Sequence, residues 1–309
     1  MSGITAPSCE TAIQEVVKQL SSEDNFPNVR PTRWHGEPLP SQAAVKEIIN
    51  LSRALLFPAF FGDPDITREN VLYFNGLWAE KLFKILAKQI LAGVAMEFNG
   101  SFIDYEALEA SAKIKAANYI KQLPELRRLL NLDVKATYLG DPAAISTSEV
   151  LYCYPGIRAI CNHRIAHALI TLDVPIIPRM ISEMAHSETG IDIHPAATIG
   201  ESFTIDHGTG IVIGATARIG NNVKIYQGVT LGAKSFDLDK DGNPVKGEPR
   251  HPIIGNNVII YSNASILGRI TIGDNAIIGG NIWVTDDVAP GERLIQAKAN
   301  ANNVLRLKQ

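Results

Sequence analysis

The chain has 309 residues, 46% hydrophobic and 20% charged, with a formal net charge of -3. That composition suits a globular protein with room for one large domain or two ordinary ones, and its charge gives no basic footprint for nucleic acid. No run of about 18 apolar residues occurs, and the opening MSGITAPSCETAIQEVV lacks a basic region leading into an apolar core, so neither a transmembrane helix nor a signal peptide is expected. Cys9, Cys153 and Cys161 form no C-x-x-C pair. Reduced thiols in a cytoplasmic protein are expected, with Cys153 and Cys161 buried on the helical side.

Residues 1–188 read as a helical domain. From Gln42 to Leu56, Val45, Ile48, Ile49 and Leu56 fall at helical spacing. From Glu69 to Val94, Leu72, Leu77, Leu82, Ile85 and Leu86 do the same. Asp104 is placed to cap a further helix. Residues 21–40, with Pro27, Pro31 and Pro38, read as a loose connector, and Pro142, Pro155 and Pro178 punctuate the end of this half. No catalytic motif precedes Asp141.

Near Gly190 the pattern changes. An apolar residue recurs every six positions: Ile193, Ile199 and Ile205, then Ile213, Ile219, Ile225 and Leu231, then Ile254, Ile260, Ile266, Ile272, Ile278 and Val284. Neither a helix nor a simple strand alternation has that period. A hexapeptide repeat does, with three short strands to each coil of a parallel β-helix. The fold class is therefore α+β: a helical N-terminal domain that assembles and caps, a β-helix over 189–290 with an extruded loop at 234–250, and a tail over 291–309. The repeat specifies a fold and leaves the function open.

Two interruptions of the repeat draw the chemistry. Ile205-Asp206-His207-Gly208-Thr209-Gly210 inserts two extra residues, and the stretch from Ala233 to Pro252 ends in Arg250-His251-Pro252. Acyl transfer to an alcohol needs a base near neutral pH, a carboxylate to orient it and donors for the oxyanion. An amino-acid acceptor adds an anion for its ammonium and cations for its carboxylate. His207 with Asp192, and Asp206 with Arg250 and His251, could supply that set. Taken alone, the same residues also fit a structural corner and a solvated loop end.

The segments DIHPAATIG (192–200), IDHGTGIVIG (205–214), QGVTLGA (227–233) and RHPIIG (250–255) closely resemble the serine acetyltransferase family, as does DPAAISTSEVLYCYPGIRAICNHRIAHAL (141–169) leading into the repeat. The resemblance covers roughly 141–290. It implies a left-handed β-helix and one-step acetyl transfer from acetyl-CoA to L-serine, with no metal and no acyl-enzyme. It implies His207 as general base, and Asp192, fourteen residues before Asp206, as its partner. Asp141 and Asp206 would hold the serine ammonium, and Arg250 and His251 its carboxylate. The backbone around Ala233, Ser262 and Gly280 would contact acetyl-CoA between two solenoids. L-cysteine is the implied feedback inhibitor, and a homotrimer or dimer of trimers the implied assembly. The chain departs from the pattern at Ala215, where many members carry an acid, and in its long loop and long helical half. It ends in Gln309 rather than isoleucine, so docking into cysteine synthase by a C-terminal tail is not expected.

Three local patterns in the sequence spell other sites. Asp237-Leu238-Asp239-Lys240-Asp241-Gly242 with Glu248 spells an EF-hand loop, but the flanks read as β-helix and Pro244 takes the eighth position. His194, His207 and His251 could in principle hold zinc, and Asn263-Ala264-Ser265 spells a glycosylation sequon. The competing functions are an acetyltransferase for a sugar, homoserine or an antibiotic, and a non-catalytic scaffold of a cysteine-synthase complex.

Overall fold

A computed structural model of the chain describes residues 9–21, 39–97, 104–235 and 238–296. Most of the expected connector, the first acidic residue of the EF-hand-like run (Asp237) and the tail beyond 296 lie outside them.

Eight helices precede the strands in the described residues: α1 (Cys9–Leu20), α2 (Gln42–Leu56), α3 (Pro58–Phe61), α4 (Val71–Glu97), α5 (Tyr105–Gly140), α6 (Thr147–Cys153), α7 (Pro155–Ile170) and α8 (Ile177–Thr189). Ser41 caps α2, its hydroxyl accepting from the Ala44 N–H, and Asp104 caps α5 in the same way through Ala107. The apolar stripe of α2 is buried as its spacing predicts. The stripe of α4 is not continuous. Leu82 and Leu86 are buried, but Leu72 and Leu77 stand in solvent, because the first turns of this helix reach past the elements it packs on. Pro155 and Pro178 open α7 and α8 rather than closing the elements before them, since a first-turn proline forfeits no helical hydrogen bond. Cys161 is buried within α7, whereas Cys153 is exposed at the end of α6. That short helix buries Val150 and Leu151, and its last residue faces away from them.

Fourteen short strands follow: β1 (Asp192–Ile193), β2 (Thr198–Ile199), β3 (Thr204–Asp206), β4 (Val212–Ile213), β5 (Arg218–Ile219), β6 (Lys224–Tyr226), β7 (Thr230–Gly232), β8 (Ile253–Ile254), β9 (Ile259–Ile260), β10 (Ser265–Leu267), β11 (Thr271–Ile272), β12 (Ile277–Ile278), β13 (Trp283–Val284) and β14 (Arg293–Leu294). They stack in parallel as three faces of a prism. The first face is β1-β4-β7-β10-β13, the second β2-β5-β8-β11 and the third β3-β6-β9-β12-β14. The repeating isoleucines point inward and are buried. Val212 pairs with Thr230, and Ser265 with Trp283, each eighteen residues on, the length of three hexapeptides. Asp192 pairs with Val212, twenty residues on, which locates the two extra residues in the corner between them.

The helical half closes the open end of the prism. Arg164 on α7 makes a two-pronged bond to Asp133 on α5, at 2.6 and 2.8 Å, and donates to the Gly200 carbonyl. Asp133 also accepts from the Phe203 N–H. Both side chains are buried. Burial drives the Asp133 carboxyl upward, and the Arg164 guanidinium opposes that shift. The first coil is thereby held by the helices through its own backbone.

Candidate active site

The residues singled out in the sequence fall on the two edges of the first face. At the edge where the third face turns into the first, a backbone ladder stacks the corners. The Gly228 N–H donates to Thr209, the Asn263 N–H to Gln227 and the Asn281 N–H to Ser262. The column running up this edge is Thr209, Gln227, Ser262 and Gly280, and His207 stands at its foot. His207 and Gly208 are the inserted pair, and both adopt positive φ, 57° and 103°. That conformation is uncommon outside glycine and asparagine and lifts the imidazole out of the corner. The His207 side chain is 75% exposed, and its Nε2 lies 3.6 Å from Asp206 Oδ1.

The helical half brings acid to the same edge. Asp141, the residue after α5, accepts from the Tyr154 hydroxyl at 2.7 Å and from the Ala143 N–H at 2.8 Å. The Tyr154 bond, then the Ala143 bond, then the charges of Lys224 and His207 hold its carboxyl below the ordinary range. Lys224 joins the halves, bonding Asp206 Oδ2 at 2.9 Å and the Gly140 carbonyl at 2.8 Å. Burial works against its charge, but the bonds to Asp206 and Tyr226 outweigh it and raise its pKa. Lys224 thus takes Oδ2 of Asp206, and Oδ1 is turned toward His207.

The expected Asp192–His207 pair is not formed in this conformation. The Asp192 carboxylate lies with those of Glu183 and the ring of His186, all within 4.8 Å of one another, while the His207 ring leans on Asp206.

At the opposite edge, where the first face turns into the second, the His194 N–H donates to Ile213, the Gly214 N–H to Leu231 and the Gly268 N–H to Gly232, with Ala233 next along the chain. The extruded loop returns here with Arg250 and His251. Thr216 organises them: its Oγ1 accepts from the N–H groups of both, and its own N–H donates to His251 Nδ1 at 3.1 Å. Arg269 donates to the carbonyls of Thr216 and His251. Since Nδ1 accepts, the proton of the neutral ring sits on Nε2. Burial, then the charge of Arg250, pushes His251 down to about 4. This corrects the sequence-based expectation of two cations here: Arg250 is the cation, and His251 is a neutral donor. Gly214 leaves room beside that donor, for a Cβ there would lie 2.1 Å from Nε2.

The nine site residues therefore divide. Asp141, Asp206, His207, Ser262 and Gly280 share one edge, Asp192 sits on the first face beside it, and Ala233, Arg250 and His251 share the other. Tyr154, Lys224, Thr216 and Arg269 escaped the sequence reading, because their partners lie one coil or one helix away. Within one chain His207 stands on one edge and His194 and His251 on the other, so the three histidines do not gather around one point of a single copy. The EF-hand-like loop is flanked by β7 and β8, not helices, and Asp239 spends its Oδ1 on the N–H groups of Asp241 and Asn243.

The stacked hexapeptide coils and a histidine lifted from a corner define a left-handed β-helix acyltransferase of the hexapeptide class. The family model described as "Bacterial transferase hexapeptide (six repeats)" matches residues 251–281. The protein named "Serine acetyltransferase, plasmid" of Synechococcus elongatus is 46% identical over 273 residues, 86% of this chain and 84% of that one. Two solved structures from Entamoeba histolytica are similar throughout, each at 33% identity. Serine acetyltransferase isoform 3 in complex with cysteine has a TM-score of 0.69, with 97% of this chain and 94% of that one covered. Serine acetyltransferase 1 in complex with L-cysteine has a TM-score of 0.70, with 92% and 96% covered. The chain belongs to the serine acetyltransferase family. Its reaction is the O-acetylation of serine, in cysteine biosynthesis, with acetyl-CoA as the co-substrate that the family implies.

Proposed function

We propose that one active site is made by two copies of the chain, each giving a different edge. The observation that carries this is the separation of the two edges. From Gly210 to Ala215, about five residues at about 3.3 Å each put them about 16 Å apart. The ammonium and carboxylate of serine hang on a single carbon and cannot reach both. A cyclic trimer sets the first edge of one copy against the second edge of the next. The first face offers exposed Val212 and Trp283 for such a neighbour to cover. The helical half leaves a dimer of trimers open to the same assembly.

In this site Asp141 and Asp206 take the ammonium of L-serine. Arg250 and neutral His251 of the neighbouring copy take its carboxylate. The serine hydroxyl attacks the thioester carbon of acetyl-CoA as His207 removes its proton, and Asp192 stabilises the imidazolium once the exposed His207 ring turns toward it. Collapse of the tetrahedral intermediate expels the CoA thiolate, which takes the proton from His207 and restores the neutral base. The acetyl-CoA chain runs along Ser262 and Gly280 of one copy and Ala233 of the next. No metal takes part. L-cysteine has the same ammonium and carboxylate, so it occupies the serine subsite and inhibits. Two Entamoeba relatives that hold cysteine support this. The reading places the enzyme in the cytoplasm, with the acetyl-CoA it consumes.

Complementation tests it. His207→Ala and Arg250→Ala chains are co-expressed with different tags, and mixed oligomers are purified through both. Thiol release from acetyl-CoA is then followed with L-serine, L-homoserine and simple sugars. With L-serine held near the wild-type KM, where the Arg250→Ala parent is far from saturated, activity in the mixture well above that of either parent and suppressed by L-cysteine supports the shared site. A mixture no more active than its parents overturns it.

A further inference from the structure

The last two turns of α8 carry Glu183 and His186, one turn apart on the same side of the helix. Gly190, with φ 69°, ends the helix and returns the chain so that Asp192 opens β1 beside them. One ligand atom from each of the three residues lies within 4.8 Å of the other two. His186 Nδ1 is 3.4 Å from Glu183 Oε2, and the Arg179 guanidinium holds the other oxygen, Oε1, at 2.5 Å. Glu183 and His186 are about half exposed, so their ends can move. A tetrahedral Zn2+ with bonds of about 2.0–2.2 Å sets its ligands about 3.3 Å apart, a contraction of about 1.5 Å at most. One imidazole and two carboxylates, with a fourth position left to water, are a ligand set of the kind zinc takes. Two helix positions three apart plus a residue from another element is also a common way to build one.

We propose that Glu183, His186 and Asp192 form a binding site for a divalent transition-metal ion of the zinc type, and that the bound ion restrains acetyl transfer. The first half stands on the cluster alone. The second rests on the proposed role of Asp192: a carboxylate bound to the metal cannot turn to His207. Arg179 keeps Glu183 Oε1 and leaves Oε2 to the ion. The metal would compete with His207 for one carboxylate and would not enter the reaction.

The test uses the full-length oligomer, stripped with a chelator and titrated with Zn2+ by calorimetry, with Co2+ absorption as a check on coordination. The wild type should bind one ion per chain at this site. His186→Ala and Glu183→Gln should each weaken it by at least about tenfold, since even outer-shell changes cost about 10–100-fold in metal affinity. Affinity unchanged in both variants, or no binding in the wild type, overturns the site. Inhibition is read separately, as each protein's serine acetylation rate with Zn2+ divided by its rate without. A ratio well below one in the wild type, restored toward one in His186→Ala, supports the coupling. Binding with a ratio of one in the wild type overturns the coupling and with it the role given to Asp192, while the metal site stands.

Discussion

The two edges of the first face are built in opposite ways. One is acidic and open: Asp141, Asp206 and a His207 that is three-quarters exposed, gathered from a helix end and an inserted corner. The other is cationic and enclosed. Arg250 and buried His251 are strapped to Thr216, and Thr216 to Arg269. On the proposed roles, the group that moves a proton is left free to turn, and the groups that recognise a fixed carboxylate are tied to the backbone.

Breaking the open edge should have the largest effect. His207→Ala removes the proposed base, and kcat for serine acetylation should fall by about 10²–10⁴-fold. Steady-state kinetics at saturating serine measures this, and an unchanged kcat would remove His207 from the mechanism. The enclosed edge should show itself next, in stability. His251 is held neutral down to about 4, so between the ordinary 6.5 and 4 the unfolded chain takes up a proton that the folded chain refuses. Folding stability should therefore fall as pH drops through that window, by up to about 3 kcal/mol. In His251→Gln that part of the slope should vanish from the Tm-versus-pH curve. A curve identical to wild type would contradict the enclosure.

Arg250→Ala should be milder and different in kind. Loss of a hydrogen bond to a charged group, about 1.5–3 kcal/mol, raises the serine KM by roughly ten- to a hundredfold, with kcat less affected. A kcat loss at constant KM would mean that Arg250 serves the transition state instead. The smallest effect should come from Tyr154→Phe. The tyrosine hydroxyl is the largest influence holding Asp141 ionised. Without it the Asp141 carboxyl rises toward its ordinary range. On acidification the serine KM should then begin to climb at a higher pH than in the wild type. A shift in the other direction would place Asp141 outside the ammonium site.

The repeat was legible because every inward isoleucine obeys one period, and the register of the coils follows from it. His207 was legible for the complementary reason: two residues too many at one corner. What sequence could not supply was contact across distance. Lys224 is one coil from Asp206, Tyr154 reaches Asp141 from a different helix, and Thr216 meets His251 only after the extruded loop has gone out and returned. Nor does periodicity reveal where a helix outruns its neighbours, which left Leu72 and Leu77 in solvent, or which end of a short helix meets water, which exposed Cys153. The division of the site between two edges follows from the coil path, and no local motif records it.

The clamp between Asp133 and Arg164 has a consequence for how the chain is made. Synthesis delivers the helical half first, and both residues of the clamp leave the ribosome before Gly200 and Phe203, whose backbone they grip. A lone coil of a solenoid cannot bury its own core. Here it emerges onto a seat already charged to receive it. The first turn is templated, and each later coil adds to the one before, in the order of translation.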